Sequence, residues 1–284
     1  VPNIANAQDP VNLTPEDLEK DPPMTGLARP AQWRYAFLVW LHSWAEREYG
    51  NISYASPTII ALDRSYLQFP VYYDSVAFVT CFGRLLRFRA DLHIFAAKAL
   101  HSLATTYGEH IDPTVQINRH AYLGAHLRSE SDTRVVWKGI FKYSTYEEQS
   151  VAYLVQAVEA NTSVIYVASG DQNEIEHLTA DADSAHGFKV TNKYQLLQGE
   201  DLQALQALTW DQQAVVDYLM MLRASAFAGV AHSSFSWNVA LQRHLFSDRE
   251  DHLDGEQVME DEFSIVYGSK EDYEVPKYPA CMWP

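Results

Sequence analysis

Cysteine is nearly missing from this chain, which has 284 residues and only Cys81 and Cys281. There is no CxxC and no Cys/His cluster at zinc-site spacing, so a multi-disulfide scaffold and a structural zinc module are both excluded. A single disulfide between the two cysteines and a pair of buried thiols both stay open. Positive charge is also scarce, because 21 Lys and Arg stand against 37 Asp and Glu for a formal net charge of −16. That balance argues against nucleic acid or an anionic membrane surface as a partner, since each phosphate contact needs a local cation. Any anionic ligand has to be gripped locally, by arginines at strand ends or by helix N-termini. Long apolar runs are absent too: no stretch approaches the roughly 20 residues of a membrane span. The first thirty residues lack the charged-then-apolar order of a signal peptide. Hydrophobic residues make up 47% of the chain, enough for one large α/β domain or two of ordinary size.

Three N-x-S/T sequons, at Asn12, Asn51 and Asn161, point to a secretory compartment, although Asn161 reads equally well as a turn residue entering a strand. The first thirty residues, with repeated prolines, read as an irregular arm. Apolar spacing predicts helices over 31–48 and 89–107, with a strand over 75–80 between them. After about residue 115 strands and helices alternate. Strands are expected near 120–127, 163–169, 188–191 and 226–231. Helices are expected near 146–160, from 171, over 200–208 and 211–224, and over 235–246. Thr145 and Glu148 have capping-box spacing at the start of the first of these helices. Such alternation predicts a parallel, doubly wound sheet. The acidic stretch SDREDHLDGEQVMEDEF reads as a solvated loop, and its carboxylates do not fall at EF-hand positions.

In an open parallel sheet, ligands sit outside the carboxyl ends of the strands. The first polar strand end is AYLGAHLRSESD, where alternation puts His126 and Arg128 on one side. Arg128 offers a planar fork for two phosphate oxygens and His126 a donor. The second is VAHSSFSWN, where Ser233, Ser234 and Phe235 begin a helix whose free N–H groups and hydroxyls suit a phosphate. The third is VASGDQNE, with Asp171 after Gly170. Plainer readings stand beside each: a surface ion pair for Arg128, and ordinary N-caps for the serines and Asp171. On the helix DQQAVVDYLMML, Asp217 faces an apolar stripe and needs a donor partner, either the paired N–H groups of a guanine or a neighbouring basic side chain.

HLRSESD, the strand-then-SGD element and DYLMMLRASAFAGVAHSSFS, in this order over roughly residues 75–246, resemble the GDP-fucose protein O-fucosyltransferase family and its α1,6-fucosyltransferase relatives. The resemblance implies a GT-B-like α/β fold of two Rossmann-like domains with parallel sheets. It also implies GDP-fucose as donor substrate, an inverting transfer to a protein or glycan acceptor, no cofactor and no obligatory metal. The expected site is the lumen of the ER or Golgi. On this resemblance Arg128 binds the β-phosphate and stabilises departing GDP, and His126 lies beside the nucleotide. Ser233, Ser234 and Phe235 form the phosphate segment, Asp217 reads guanine, and Asp132 and Asp171 match acidic positions of varying role. The chain then divides into an arm and acceptor-side domain (1–115), a nucleotide-sugar-binding domain (116–250) and an acidic loop with tail (251–284). No Gly-rich turn ending in Gly-Asn-Gln precedes Arg128, and the upstream part is shorter than the family's. Three accounts follow from that departure: a trimmed chain, a reduced first domain, or altered activity. The last makes the chain a degenerate GDP or GDP-sugar binder. A transferase for another sugar nucleotide is the third reading.

Overall fold

Strands buried on both faces read as unbroken apolar runs, whereas half-exposed strands alternate. LGAH, VIYVA and AFAGV are of the first kind, and each is buried along its whole length. The computed structural model describes residues 87–131, 133, 139, 141–247 and 259–269, together with the backbone of β1 (Val11–Leu13) and β2 (Ile60–Leu62). The expected helix over 31–48, the strand over 75–80, both cysteines, Asn51, Asp132 and most of the acidic stretch lie outside the described residues.

The chain divides into two compact units, residues 1–75 and 76–284. In the first, β1 and β2 pair in parallel with Val11 opposite Ile60. In the second, the element order is α1 (Ala90–Tyr107), β3 (Leu123–His126), α2 (Tyr146–Glu159), β4 (Val164–Ala168), α3 (Gln172–His186) and β5 (Lys189–Thr191). It continues with α4 (Lys193–Leu196), α5 (Gly199–Gln206), α6 (Trp210–Arg223), β6 (Ala226–Val230), α7 (Ser234–His244) and β7 (Ser264–Tyr267). The five strands β3 to β7 form one parallel sheet in the order β5-β4-β3-β6-β7. The chain winds outward from β3 through β4 to β5, returns through α4, α5 and α6, and winds the other way through β6 to β7. Strand order therefore reverses between β3 and β6, which is where an open α/β sheet leaves a crevice at its carboxyl edge.

Helices cover both faces. On one, α1 and α6 pack Leu92, Phe95, Ala99, Leu103, Met220 and Met221 against Tyr122, Tyr166 and Phe227. On the other, α2 and α3 pack Tyr153, Ala157, Ile175 and Leu178 against Leu123, Ala125, Ile165 and Val167. Gly124 lets α6 approach the sheet: a Cβ there would lie 3.2 Å from the Met221 side chain and 3.3 Å from that of Ala224. Thr145 and Glu148 form the expected capping box on α2, and Thr209 with Gln212 forms a second one on α6. Asn161 turns the chain between α2 and β4 with φ of 51°, the left-handed region that Asn tolerates better than most residues.

One feature departs from the sequence reading. β7 falls in the stretch assigned to the loop and tail, yet it adds a fifth strand beside β6. A four-residue run behind an acidic segment is too short for periodicity to declare itself. α1 packs in the core of the second unit, residues 76–284.

β7 and the end of α6 are tied by a buried arginine that nothing in the sequence marks. Arg243, on α7, donates to the carbonyls of Met221, Leu222, Ala224, Ser225 and Phe263 and to the Ser264 hydroxyl, at 2.8 to 3.2 Å. The last carbonyls of an α-helix lack i+4 N–H partners; at the end of α6 Ala224 N–H serves the Met221 carbonyl at 3.3 Å, and the guanidinium serves Met221 and Leu222 as well. Burial lowers its pKa to about 10, which leaves it charged at neutral pH.

Candidate functional site

The exit of β3 is held from behind by α2. Leu127 N–H donates to the Ala168 carbonyl at 2.9 Å, extending the ladder one residue beyond the strand. Gln149, fully buried, then takes over: its Oε1 accepts from Arg128 N–H at 2.8 Å, and its Nε2 donates to the carbonyls of Arg128 and Tyr143 at 2.9 and 3.0 Å. The Tyr153 hydroxyl donates to the His126 carbonyl at 2.7 Å. The Arg128 guanidinium donates to Glu130 at 2.5 Å, and the other Glu130 oxygen accepts from Gly170 N–H at 2.9 Å, in the turn after β4. Backbone and side chain of Arg128 are therefore both fixed before any ligand arrives.

β6 is the neighbour of β3, and its exit leads through His232 and Ser233 into α7. Ser233 occupies the N-cap position, but its side chain makes no cap bond. Ser234 is exposed, and Phe235 is half-buried with its ring 4.6 Å from the His126 imidazole and 6.1 Å from the ring of Tyr218. Ser236 Oγ lies 2.8 Å from His126 Nδ1. His232 is buried and stacks on Phe141, with centroids 6.1 Å apart and planes 14° apart. Burial, reinforced by the charge of Arg128, lowers the pKa of His126 to about 3 and that of His232 to about 4. Both imidazoles are neutral at physiological pH, and Arg128 is the cation that acts on them.

Among the sequence-marked residues, the structure brings His126, Arg128 and the Ser233–Phe235 segment to one place, the point where strand order reverses. Asp171 stands at the neighbouring exit as the N-cap of α3 and accepts from Asn173 N–H at 3.0 Å, the plainer of its two readings. Asp217 does not open onto this cluster. One of its oxygens accepts from the Tyr166 hydroxyl at 2.6 Å and the other from Lys193 Nζ, all three residues being buried. Burial raises its pKa, with Lys193 and Tyr166 opposing the rise. The basic-partner alternative for Asp217 is thus what the free protein contains, and the ring of its chain neighbour Tyr218 lies 6.1 Å from that of Phe235. Glu130, Gln149, Tyr153, His232 and Ser236 were assigned no role from sequence. Their partners are 2 to 110 residues away, and no local pattern announces them.

The cluster can bind an anion through one guanidinium, a helix N-terminus and neutral donors. A solved structure described as POFUT1 in complex with GDP matches with a TM-score of 0.41 and 13% identity, covering 73% of this chain and 56% of that one. The chain thus spans little more than half of that protein. No curated protein sequence matches significantly. The family model described as GDP-fucose protein O-fucosyltransferase matches residues 55–246, a span that holds every described element from β2 to α7 and both strand exits. The chain belongs to the GDP-fucose protein O-fucosyltransferase family.

Proposed function

We propose that this chain carries the donor side of an enzyme that transfers fucose from GDP-fucose to a protein or glycan hydroxyl, with inversion and without a metal, in the lumen of the secretory pathway. The observation that carries the reading is the meeting of the β3 exit, with His126 and Arg128, and the open N-terminus of α7 where strand order reverses. Family membership supplies the substrate class.

In the transfer, the acceptor hydroxyl oxygen attacks the anomeric carbon, the bond from that carbon to the β-phosphate oxygen breaks, and the hydroxyl proton passes to the departing phosphate or to solvent. The electron pair leaves with GDP. The growing negative charge has to be met by donors already in place, and a preorganised group of this kind typically accounts for about 10²- to 10³-fold in rate. Arg128 is that group, oriented through Glu130 and Gln149, and the N–H groups of α7 with Ser233 and Ser234 add neutral donors. Inversion follows if the acceptor approaches from the face opposite GDP.

The Asp217 pairing favours a second reading. A guanine can use this carboxylate only if Lys193 withdraws, so a chain that keeps the pair would hold a sugar nucleotide by its diphosphate, with weak base selectivity or without turnover. Calorimetry with GDP, GDP-fucose, GDP-mannose and UDP separates the two. Guanine selectivity together with release of fucose from GDP-fucose supports the transferase. Equal affinity for UDP, or binding without turnover, supports the second reading. Arg128→Ala should lower turnover about 100-fold or more at unchanged fold. An unaltered kcat would remove Arg128 from the mechanism, and loss of turnover in EDTA with recovery in Mn²⁺ would overturn the metal-free reading.

A further inference from the structure

The Ser236 hydroxyl is fully buried and has two hydrogen-bond neighbours, Val230 N–H at 3.1 Å and His126 Nδ1 at 2.8 Å. The space is tight by design. A Cβ on Gly229 would lie 2.5 Å from Ser236 Oγ and 2.7 Å from its Cβ, so β6 has to be bare there for the serine to reach across to β3. A hydroxyl carries one hydrogen and accepts through two lone pairs. Val230 N–H is a donor and occupies one lone pair. If His126 Nδ1 also carried a proton, the serine's own hydrogen would be buried with nothing to bond, the arrangement native interiors avoid. The count closes when Ser236 donates to Nδ1, which leaves the ring proton on Nε2. Among the described residues that nitrogen has no hydrogen-bond partner, and it is not sealed from solvent.

We infer that Ser236 is a positioning residue that fixes the tautomer of His126, so that the imidazole faces the ligand with an Nε2–H donor. The inference rests on the reading of His126 as a nucleotide-facing residue. A donor there can bond a phosphate, hydroxyl or carbonyl oxygen of a nucleotide sugar, whereas the other tautomer would turn a lone pair toward those oxygens. Burial and the neighbouring guanidinium keep the ring neutral, so the tautomer decides what it offers.

The test is a long-range ¹H–¹⁵N correlation spectrum of the uniformly ¹⁵N-labelled chain at neutral pH. In the wild type His126 should show a protonated Nε2 and an unprotonated Nδ1; a protonated Nδ1 overturns the inference with no variant needed. Ser236→Ala, with circular dichroism to check its fold, should give a mixture of tautomers and bind GDP roughly tenfold more weakly. Ser236→Thr, which keeps the hydroxyl, should restore the Nε2–H signature. A Ser236→Ala spectrum identical to wild type would sink the role of the serine. Failure of the wild type to bind GDP, with the tautomer pattern as expected, would instead sink the nucleotide reading and leave the Ser236 assignment standing.

Discussion

Lys193→Met tests the buried ion pair between α4 and α6, the basic-partner alternative for Asp217. The side chains of Lys193 and Asp217 are 7% and 6% exposed. Removing one partner of a buried pair strands the other charge and costs about 3–5 kcal/mol. The Tyr166 hydroxyl still donates to Asp217, so the expected loss lies at the lower end, about 3 kcal/mol. Urea denaturation at pH 7.5 should show it as a midpoint shift of about 1 M, with an m-value near 3 kcal/mol/M. The double variant Lys193→Met/Asp217→Asn has no charge to strand and should recover most of the loss.

The pH dependence adds a sign. Without Lys193 nothing cationic opposes the desolvation of Asp217, so its folded pKa rises further above the unfolded carboxylate value. The folded state then binds a proton more readily than the unfolded state, and stability increases as pH falls through the raised folded pKa. The deficit of Lys193→Met should therefore shrink from pH 7.5 toward pH 5. A loss below about 1 kcal/mol at pH 7.5, in the range of an exposed pair, would refute the account of a buried, mutually dependent pair. So would a deficit that does not shrink in acid.

Arg243→Met should be more damaging, at about 4 kcal/mol or beyond, because it leaves five carbonyls without the guanidinium that serves them; a melting temperature close to wild type would contradict that. Thr145→Ala removes a capping box at an exposed helix start and should cost about 1 kcal/mol in urea denaturation, with no change in GDP affinity. His126 has a folded pKa of about 3 against an unfolded value of 6.5, so its contribution is complete above pH 6.5 and declines as pH falls toward 3. At pH 5 the unfolded state gains about 2 kcal/mol from this residue, so His126→Phe should lose less stability than wild type between pH 7.5 and pH 5. Equal acid sensitivity of the two would dismiss the assignment.

The parallel sheet was legible because its strands are apolar on both faces and separated by helical periods, and because Thr145 and Glu148 declare a helix start. That His126 and Arg128 leave β3 near one another was legible from a two-residue repeat. What holds them was not. Gln149 and Tyr153 look like ordinary positions of an amphipathic helix, and nothing local says that their polar ends point at the exit of another strand. Asp217 was marked as a carboxylate in need of a donor, but Lys193 is 24 residues away and part of a four-residue helix that periodicity cannot resolve. β7 stayed hidden for the same reason of length.

The contrast between net charge and site explains how the parts cohere. A chain with a charge of −16 cannot attract an anion through its overall field. Its cluster also gains no cations from histidine, since burial keeps His126 and His232 neutral beside Arg128. Binding there has to come from orientation, with a guanidinium whose backbone is clamped by Gln149 and whose fork is aligned by Glu130, a helix start whose N-cap serine makes no cap bond, and an imidazole set by Ser236. Donors fixed in this way lose little freedom when a ligand arrives. The polar residues behind the rim therefore matter as much as those on it, which is why residues the sequence left unmarked carry so much of the geometry.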